Sequence, residues 1–501
     1  MNKGKICVSV FAATTEALTA QIRKAEPLAD IIELRFDHLE PLEIDKFIAA
    51  LPATEKKYLF TFRPRSEGGK REVSPAERRA FWSSIHSKLR DIDYLVDYEA
   101  DLELPAGFDP DRIVISSHDF SSGGPDPAAL FARLSTSDAG IIKIAQDAGD
   151  ITGGIPVWAL LEKARTKGKH LVPIVMGEAG KWTRILGLAH GAYMTYASLE
   201  SGSETASGQI TAGDLIGLYR VKELDLETDV YGILAGDTSY SMSPYIHNPA
   251  FKARKINAVF VPLQVSDLAS FIRRMVDPRS RETELNFKGF SVTNPHKQSI
   301  LENLSSIDDD ASAIGAVNTV KLIDGNLYGY NTDAEGFISP LLRSIGDLKG
   351  SRSAVFGAGG AARACVHMLK KYGSDVTVFG RDIARTQGLT EKMGVAAASL
   401  PAVSFSDFDI VVNATPLGTK GAAESETIAT AEQLAGVKLV YDLIYNPSET
   451  KLSIEARKAG AAFIGGLEML VQQGAKQFEL WTGQSAPIEE MRAAACRRLG
   501  L

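Results

Sequence analysis

The sequence predicts an α/β protein: an N-terminal (β/α)8 barrel over residues 1–222, then a two-lobed α/β module over the rest of the chain. Three observations predict it. Short β-rich runs recur about every 25 residues up to residue 200, with helical patterns between them. The acidic stretch 223–229 then breaks the pattern. From Ser353 a strand, a glycine-rich loop, a helix and a second strand follow in close succession.

Length and composition agree with several domains. A chain of 501 residues exceeds what one hydrophobic core supports, and length alone suggests about three domains. Its 45% hydrophobic and 23% charged residues are ordinary for a globular protein, and no apolar run is long enough for a membrane span. The formal charge of −7 argues against a nucleic-acid partner. Cys7, Cys365 and Cys496 form no C-x-x-C pair, which fits a reducing compartment. Because the first residues run straight into Ile6–Val10 with no signal or transit pattern, the expected location is the cytoplasm.

The eight expected barrel strands are 6–10, 31–35, 58–62, 94–97, 112–116, 140–144, 171–175 and 192–195. Segments 75–89 and 155–167 read as intervening helices, and 209–219 reads as a closing helix. The linker 223–229 has no Gly/Ser spacer and therefore little slack. Strand 231–234 opens the second module. Its first lobe is expected over 230–335 with returning C-terminal helices over 469–501, and its second lobe over 336–468.

Polar residues interrupt the barrel strands near their C-terminal ends: Glu33 and Arg35, Arg63, His118, and Lys143. In a (β/α)8 barrel that end is the catalytic face. A single such residue reads as a structural ion pair; several on one rim point to a site. Lys143 lies within the apolar run Ile141–Ala145, where burial and neighbouring arginines lower an ammonium pKa and free the amine to attack a ketone. The resulting iminium is an electron sink for removing a proton from the adjacent carbon. His118 suits the base and Glu67 its orienting partner, while Arg63 and Arg184 suit a substrate carboxylate.

Glu33-Leu34-Arg35-Phe36-Asp37, Thr61-Phe62-Arg63, Ser117-His118-Asp119-Phe120, Lys143-Ile144-Ala145 and Gly208-Gln209 together resemble the type I 3-dehydroquinate dehydratases over residues 5–220. The resemblance implies Lys143 as the Schiff-base residue and His118 as general acid/base, with Glu67 beside it. It further implies a substrate pocket lined by Glu33, Arg35, Arg63, Arg184, Thr205 and Gln209, and no metal. Thr205 and Ser207 stand where that family usually has serine and proline.

In the second module the loop Gly357-Ala358-Gly359-Gly360-Ala361 lies between a strand and a helix, the setting in which backbone N–H groups meet a pyrophosphate. The lobe that carries it is therefore expected to be Rossmann-like. After the next strand, Arg381 and Arg385 favour a 2′-phosphate and Asp382 a free ribose, so the balance leans toward NADP(H). Upstream, Ser241, Ser243, Thr293, Lys297, Asn318 and Asp333 make a set suited to a polyhydroxylated ligand, with Lys297 and Asp333 as a proton-transfer dyad beside a reducible ketone.

These segments, with Asn413-Ala414-Thr415, Tyr445 and Met469-Leu470-Val471-Gln472-Gln473, resemble the shikimate dehydrogenases from residue 230 to about 497. The resemblance implies Lys297 and Asp333 as catalytic residues. Ser241, Ser243, Thr293, Asn318, Tyr445 and Gln473 would contact substrate, and Asn413 and Thr415 would join the cofactor loop. Ser291, Gly380 and Asp382 depart from that family's usual residues. The two resemblances imply consecutive reactions, 3-dehydroquinate to 3-dehydroshikimate and then NADPH-dependent reduction to shikimate. Two alternatives stand beside this reading: a catalytically dead regulatory homologue, and a quinate-preferring, NAD-dependent second half.

Overall fold

A computed structural model describes residues 2–104, 107–121, 124–398 and 404–501, which form two compact units. The first unit comprises residues 1–241 and 257–287; the second comprises 242–256 and 288–501.

Eight parallel strands build the barrel of the first unit: β1 (Lys5–Val10), β2 (Ile31–Arg35), β3 (Lys57–Thr61), β4 (Tyr94–Glu99), β5 (Ile113–Asp119), β6 (Ile141–Asp147), β7 (His170–Met176) and β8 (Met194–Ser198). The ladder runs unbroken from β7 back through β1 to β8, with the short β9 (Ile210–Thr211) beyond it. At the seam the Tyr193 N–H donates to Leu171 O at 2.8 Å, while Tyr193 O accepts from Lys5. The strands are near-continuous apolar runs because both of their faces are covered. The interior is packed by Cys7, Ile31, Leu59, Leu95, Val114, Ile141, Val172 and Met194.

The expected helices 75–89 and 155–167 appear as Pro75–His86 and as the pair Ile155–Trp158 and Leu160–Thr166. Ser74 starts the first of these with a capping box to Glu77. The expected closing helix 209–219 forms over 212–218, ending as a π-helix at Asp214–Leu218; Ile210 and Thr211, a β-branched pair, instead join β8 as β9. The segment after it is tied down: Asn2 Nδ2 donates to Val221 O and Leu224 O, and Lys222 pairs with Asp30 at 2.8 Å. β10 (Asp229–Ala235) and β11 (Ala258–Gln264) pair in parallel and complete this unit.

In the second unit β12 (Phe287–Val292), β14 (Thr319–Ile323) and β15 (Asn326–Tyr330) are antiparallel neighbours, and β13 (Ser306–Ile307) pairs in parallel with β15. A separate parallel sheet follows, from β16 (Arg352–Phe356), β17 (Asp375–Phe379), β18 (Ala396–Ala398), β19 (Ile410–Asn413), β20 (Leu439–Asp442) and β21 (Ala462–Ile464). Its order, β18-β17-β16-β19-β20-β21, reverses direction after β16, which is the doubly wound arrangement of dinucleotide folds. One apolar cluster covers each face of this sheet. The helix Gly466–Thr482 returns to pack along Thr332–Ile345 and Ser243–Ala253. Among the described residues no helix is long and apolar enough to cross a membrane.

Candidate active sites

All nine residues read as belonging to the barrel site line one pocket: Glu33, Arg35, Arg63, Glu67, His118, Lys143, Arg184, Thr205 and Gln209. Strand geometry explains the convergence: Glu33, Arg35, His118 and Lys143 project from barrel strands, Arg63 and Glu67 follow β3, and Arg184, Thr205 and Gln209 come from the segments after β7 and β8. Gly208 makes the last approach possible. Its φ is +73°, and a Cβ there would lie 2.1 Å from Gly177 O, so only glycine turns the chain at this point to bring Gln209 inward. Gln209 is held in place by its Oε1, which accepts from the Thr205 N–H at 2.8 Å, and by its Nε2, which donates to Thr205 Oγ1 at 3.1 Å.

Lys143 is 4% exposed; its Nζ donates to Asp97 Oδ2 at 3.0 Å and lies 4.1 Å from the centre of the Tyr196 ring. Burial lowers its pKa; Asp97 opposes that and Arg63 adds to it. His118 is pushed well below its ordinary value by burial, then by Arg63 and Lys143, so its imidazole is neutral. Glu67 Oε2 lies 2.9 Å from His118 Nδ1 and also accepts the His118 main-chain N–H at 2.8 Å. A neutral ring with Nδ1–H directed to Glu67 leaves Nε2 as the free base.

The arginines divide their work. Arg35 is bound to Asp37 through two nitrogens, at 2.9 and 2.8 Å. Arg63 NH2 donates to Asp97 at 2.6 Å, and its NH1 donates to Ser116 Oγ at 2.9 Å and lies 3.2 Å from Glu99. Arg63 thus lines the pocket while most of its guanidinium is held by the protein. Arg184 differs: it is 2% exposed, and none of its three guanidinium nitrogens has a hydrogen-bond partner among the described residues. Burial pushes its pKa down to about 10. A buried, unpartnered guanidinium on a pocket wall is a receptor for an anion.

Sequence reading missed Asp97 and Glu99. Burial works against Asp97's charge, yet Arg63 first and then Lys143 hold its pKa far below the carboxylate range. The signal was available, because both residues interrupt the fourth strand near its C-terminal end as Glu33 and Arg35 interrupt the second.

In the second unit Lys297 Nζ donates to Asp333 Oδ2 at 2.6 Å, and Asn318 Nδ2 donates to Asp333 Oδ1 at 2.8 Å. Asp333 stands in the first turn of Thr332–Ile345, and Asn318 directly precedes β14. Asn318 Oδ1 accepts the Thr332 N–H at 2.7 Å, fixing the helix start against the strand. Buried Gln477, also missed in the sequence, supports this group: its Nε2 donates to Thr319 Oγ1 and its Oε1 accepts from Ser291 Oγ, both at 2.9 Å. Ser243 opens the helix Ser243–Ala253, and Gln473 is half-buried on Gly466–Thr482. Thr293 follows β12 and Tyr445 follows β20. Ser241 belongs to the first unit.

A second cleft, lined by Gly357, Ala358, Gly359, Arg381, Asp382, Arg385, Thr386 and Thr415, lies at the reversal point of the parallel sheet. Gly357 has φ +113°, and a Cβ there would meet Ala414 O at 2.7 Å; a Cβ on Gly359 would meet nothing within 4 Å. The helix Gly360–Lys371 starts at Gly359 with no side-chain cap, so its first N–H groups are open to an anion. Asp382 is occupied as an N-cap, its Oδ1 accepting the Arg385 N–H at 3.0 Å, and Arg381 and Arg385 are exposed beside it. These residues fit a dinucleotide with a 2′-phosphate. Gly360 and Ala361 carry the first of the helix N–H groups, while Asn413 is buried and braces the loop, accepting from Thr415 Oγ1 at 2.6 Å and donating to Asp442 at 2.9 Å.

The type I 3-dehydroquinase family matches residues 6–225, the shikimate dehydrogenase substrate binding domain matches 233–320, and the shikimate 5'-dehydrogenase C-terminal domain matches 466–496. The chloroplastic bifunctional 3-dehydroquinate dehydratase/shikimate dehydrogenase of Arabidopsis thaliana is 35% identical across 97% of this chain and 83% of its own length. The chain belongs to the bifunctional 3-dehydroquinate dehydratase/shikimate dehydrogenase family. A shikimate dehydrogenase (NADP(+)) of Methanopyrus kandleri is 38% identical over 55% of this chain and 98% of its own length. A crystal structure of a shikimate dehydrogenase in complex with NADP+ superposes with a TM-score of 0.51 at 37% identity, covering 55% of this chain and 97% of that one. This bifunctional chain therefore joins a lyase to an NADP-dependent oxidoreductase.

Proposed function

We propose that the barrel site converts 3-dehydroquinate to 3-dehydroshikimate and that the second site reduces this product to shikimate. Lys143 attacks the substrate ketone and expels water to form an iminium. His118 Nε2 removes the proton from the adjacent carbon to give an enamine; the enamine electron pair then returns to expel the β-hydroxyl, which takes the proton back from His118 and leaves as a second water. Hydrolysis of the imine then frees Lys143. Arg184 receives the substrate carboxylate, and Glu67 keeps the histidine in its working tautomer. Asp97 orients the Lys143 amine.

In the second site Lys297 and Asp333 hand a proton to the carbonyl oxygen as it becomes a hydroxyl. NADPH, when bound in the glycine-loop cleft, supplies the hydride. Asn318 keeps Asp333 aimed at Lys297. Ser241, Ser243, Thr293, Tyr445 and Gln473 are assigned to substrate binding. Arg381 and Arg385 are assigned to the 2′-phosphate, and the occupied carboxylate of Asp382 favours NADP over NAD.

The domains that act are residues 1–222, 230–335 with 469–501, and 336–468, and the cytoplasm is the compartment this reading assigns. The observation that carries the proposal is that both proton-handling sets are intact: Lys143 with His118 and Glu67, and Lys297 with Asp333. The same observation disfavours a dead regulatory homologue. A coupled assay tests it: 3-dehydroquinate with NADPH should consume NADPH and yield shikimate. NADPH left unconsumed, while 3-dehydroshikimate accumulates or 3-dehydroquinate persists, would refute one half or the other.

A further inference from the structure

Behind the barrel pocket an ionic chain runs through Glu99 and Arg78, two buried groups that the dehydration chemistry does not use. Glu99, on β4, is fully buried. Its Oε1 is 3.2 Å from Arg63 NH1, and its Oε2 accepts from Arg78 NH1 at 3.2 Å. Arg78 is itself 2% exposed and sits on the capped helix Pro75–His86. It is held from the other side by Asp101, whose carboxylate accepts from its NH1 at 2.8 Å and its NH2 at 2.5 Å. Arg63 carries the chain onward to Asp97 at 2.6 Å and packs against the His118 ring, its NH1 3.3 Å from Nδ1. Asp97 in turn holds Lys143.

We propose that Arg78 is a positioning residue of the dehydratase: by keeping Glu99 ionised it holds Arg63, and through Arg63 it sets Asp97 and His118 around Lys143. The inference rests on the proposed roles of Lys143 and His118. The charge balance supports it. Two buried carboxylates, Asp97 and Glu99, face Arg63, and one guanidinium cannot keep both ionised in a low-dielectric interior. Asp97 wins the closer contact. The groups facing Glu99 are Arg63, Asp97 and Arg78; burial raises its pKa to about 7, with Asp97 adding to the rise and the two arginines opposing it. Glu99 is thus poised at the edge of ionisation, and Arg78 is the group outside the pocket that tips it. Removing Arg78 raises the Glu99 pKa further, so Glu99 takes a proton at neutral pH and Arg63 loses one of its anchors.

The test is the pH profile of dehydration by the full chain, with shikimate oxidation by the same molecule as the folding control. Arg78→Met should lower the dehydration kcat about fivefold at pH 7 and move its acid limb up by about one pH unit, because a rise of one unit from a pKa of about 7 cuts the ionised fraction from about one half to about one tenth. Shikimate oxidation should be unchanged. Arg78→Lys, which keeps the charge, should leave the limb near its wild-type position. Glu99→Gln added to Arg78→Met should make the loss independent of pH. A uniform loss with an unmoved limb would mean that Arg78 is only structural and would overturn the proposal, as would an unchanged kcat. Should Arg78→Met fail to fold, Glu99→Gln alone decides: loss of the acid limb supports the proposal and a wild-type profile overturns it. Absence of a borohydride adduct on Lys143 in the unsubstituted chain would sink the Schiff-base reading and this inference together. An adduct with an unmoved limb sinks this inference alone.

Discussion

Glu67 holds His118 at two points with one oxygen: Oε2 lies 2.9 Å from the ring Nδ1 and 2.8 Å from the main-chain nitrogen. The double grip fixes ring and backbone together and reserves Nε2 for substrate. Burial, Arg63 and Lys143 keep this ring neutral in the folded state, well below its ordinary pKa of 6.5. The unfolded chain takes up the proton first, so the stability that the neutral ring gives is present above about pH 6.5 and lost as pH falls below it. The melting temperature of the dehydratase unit should therefore fall between about pH 6.5 and 5, and less steeply in His118→Asn. Identical slopes in calorimetry would contradict this.

Lys143 is expected to carry the covalent intermediate. Borohydride added with 3-dehydroquinate should inactivate dehydration and leave a reduced adduct on Lys143, located by peptide mass. Lys143→Ala should abolish dehydration and spare shikimate oxidation. An adduct on another lysine would reassign the nucleophile.

Arg184 is stored without a partner, at an energetic penalty to the empty barrel. Its pKa of about 10 against an ordinary 12.5 corresponds to roughly 3 kcal/mol or a little more at neutral pH. Arg184→Met should raise the melting temperature of the dehydratase unit while raising KM for 3-dehydroquinate by about 10² or more, the loss of a charge-assisted pair. A variant with unchanged KM would show that the carboxylate is received elsewhere.

Lys297, joined to Asp333, handles a proton and should act on turnover. Lys297→Ala should lower kcat of shikimate oxidation by roughly 10² or more with a smaller change in KM. The opposite split, KM changed and kcat preserved, would make it a binding residue.

Arg381→Ala should weaken NADPH binding about tenfold or more and NADH binding little, measured by fluorescence titration of the two cofactors. Equal losses would show that this arginine does not read the 2′-phosphate.

Much of this was legible because the chemistry lies where strand and helix patterns end. The barrel strands announce themselves as apolar runs, so Lys143 and Arg63 stand out against them. The glycine loop is local, and its conformation follows from Gly357 alone. Partnerships were not legible. Nothing in spacing says that Arg63 is hydrogen-bonded to Asp97 and Ser116 while Arg184 has no hydrogen-bond partner among the described residues, because several separate strands and loops meet there. Gln477 escaped for the same reason: it lies 186 residues from Ser291, its hydrogen-bond partner. The start of the helix expected at 209–219 was misplaced because β-branched Ile210 and Thr211 pair with β8, and the helix begins only after them.

The strap at the base of the barrel dictates where this gene can be cut. Asn2 grips Val221 and Leu224 through one amide, Lys222 reaches back to Asp30, and Arg220 NH2 donates to Ala258 O at 2.9 Å. A dehydratase half ending before Val221 would lose the latch for its own first strand, and a dehydrogenase half beginning at β10 would lose the guanidinium on β11. Separately expressed halves should therefore overlap, each carrying its own copy of residues 220–228.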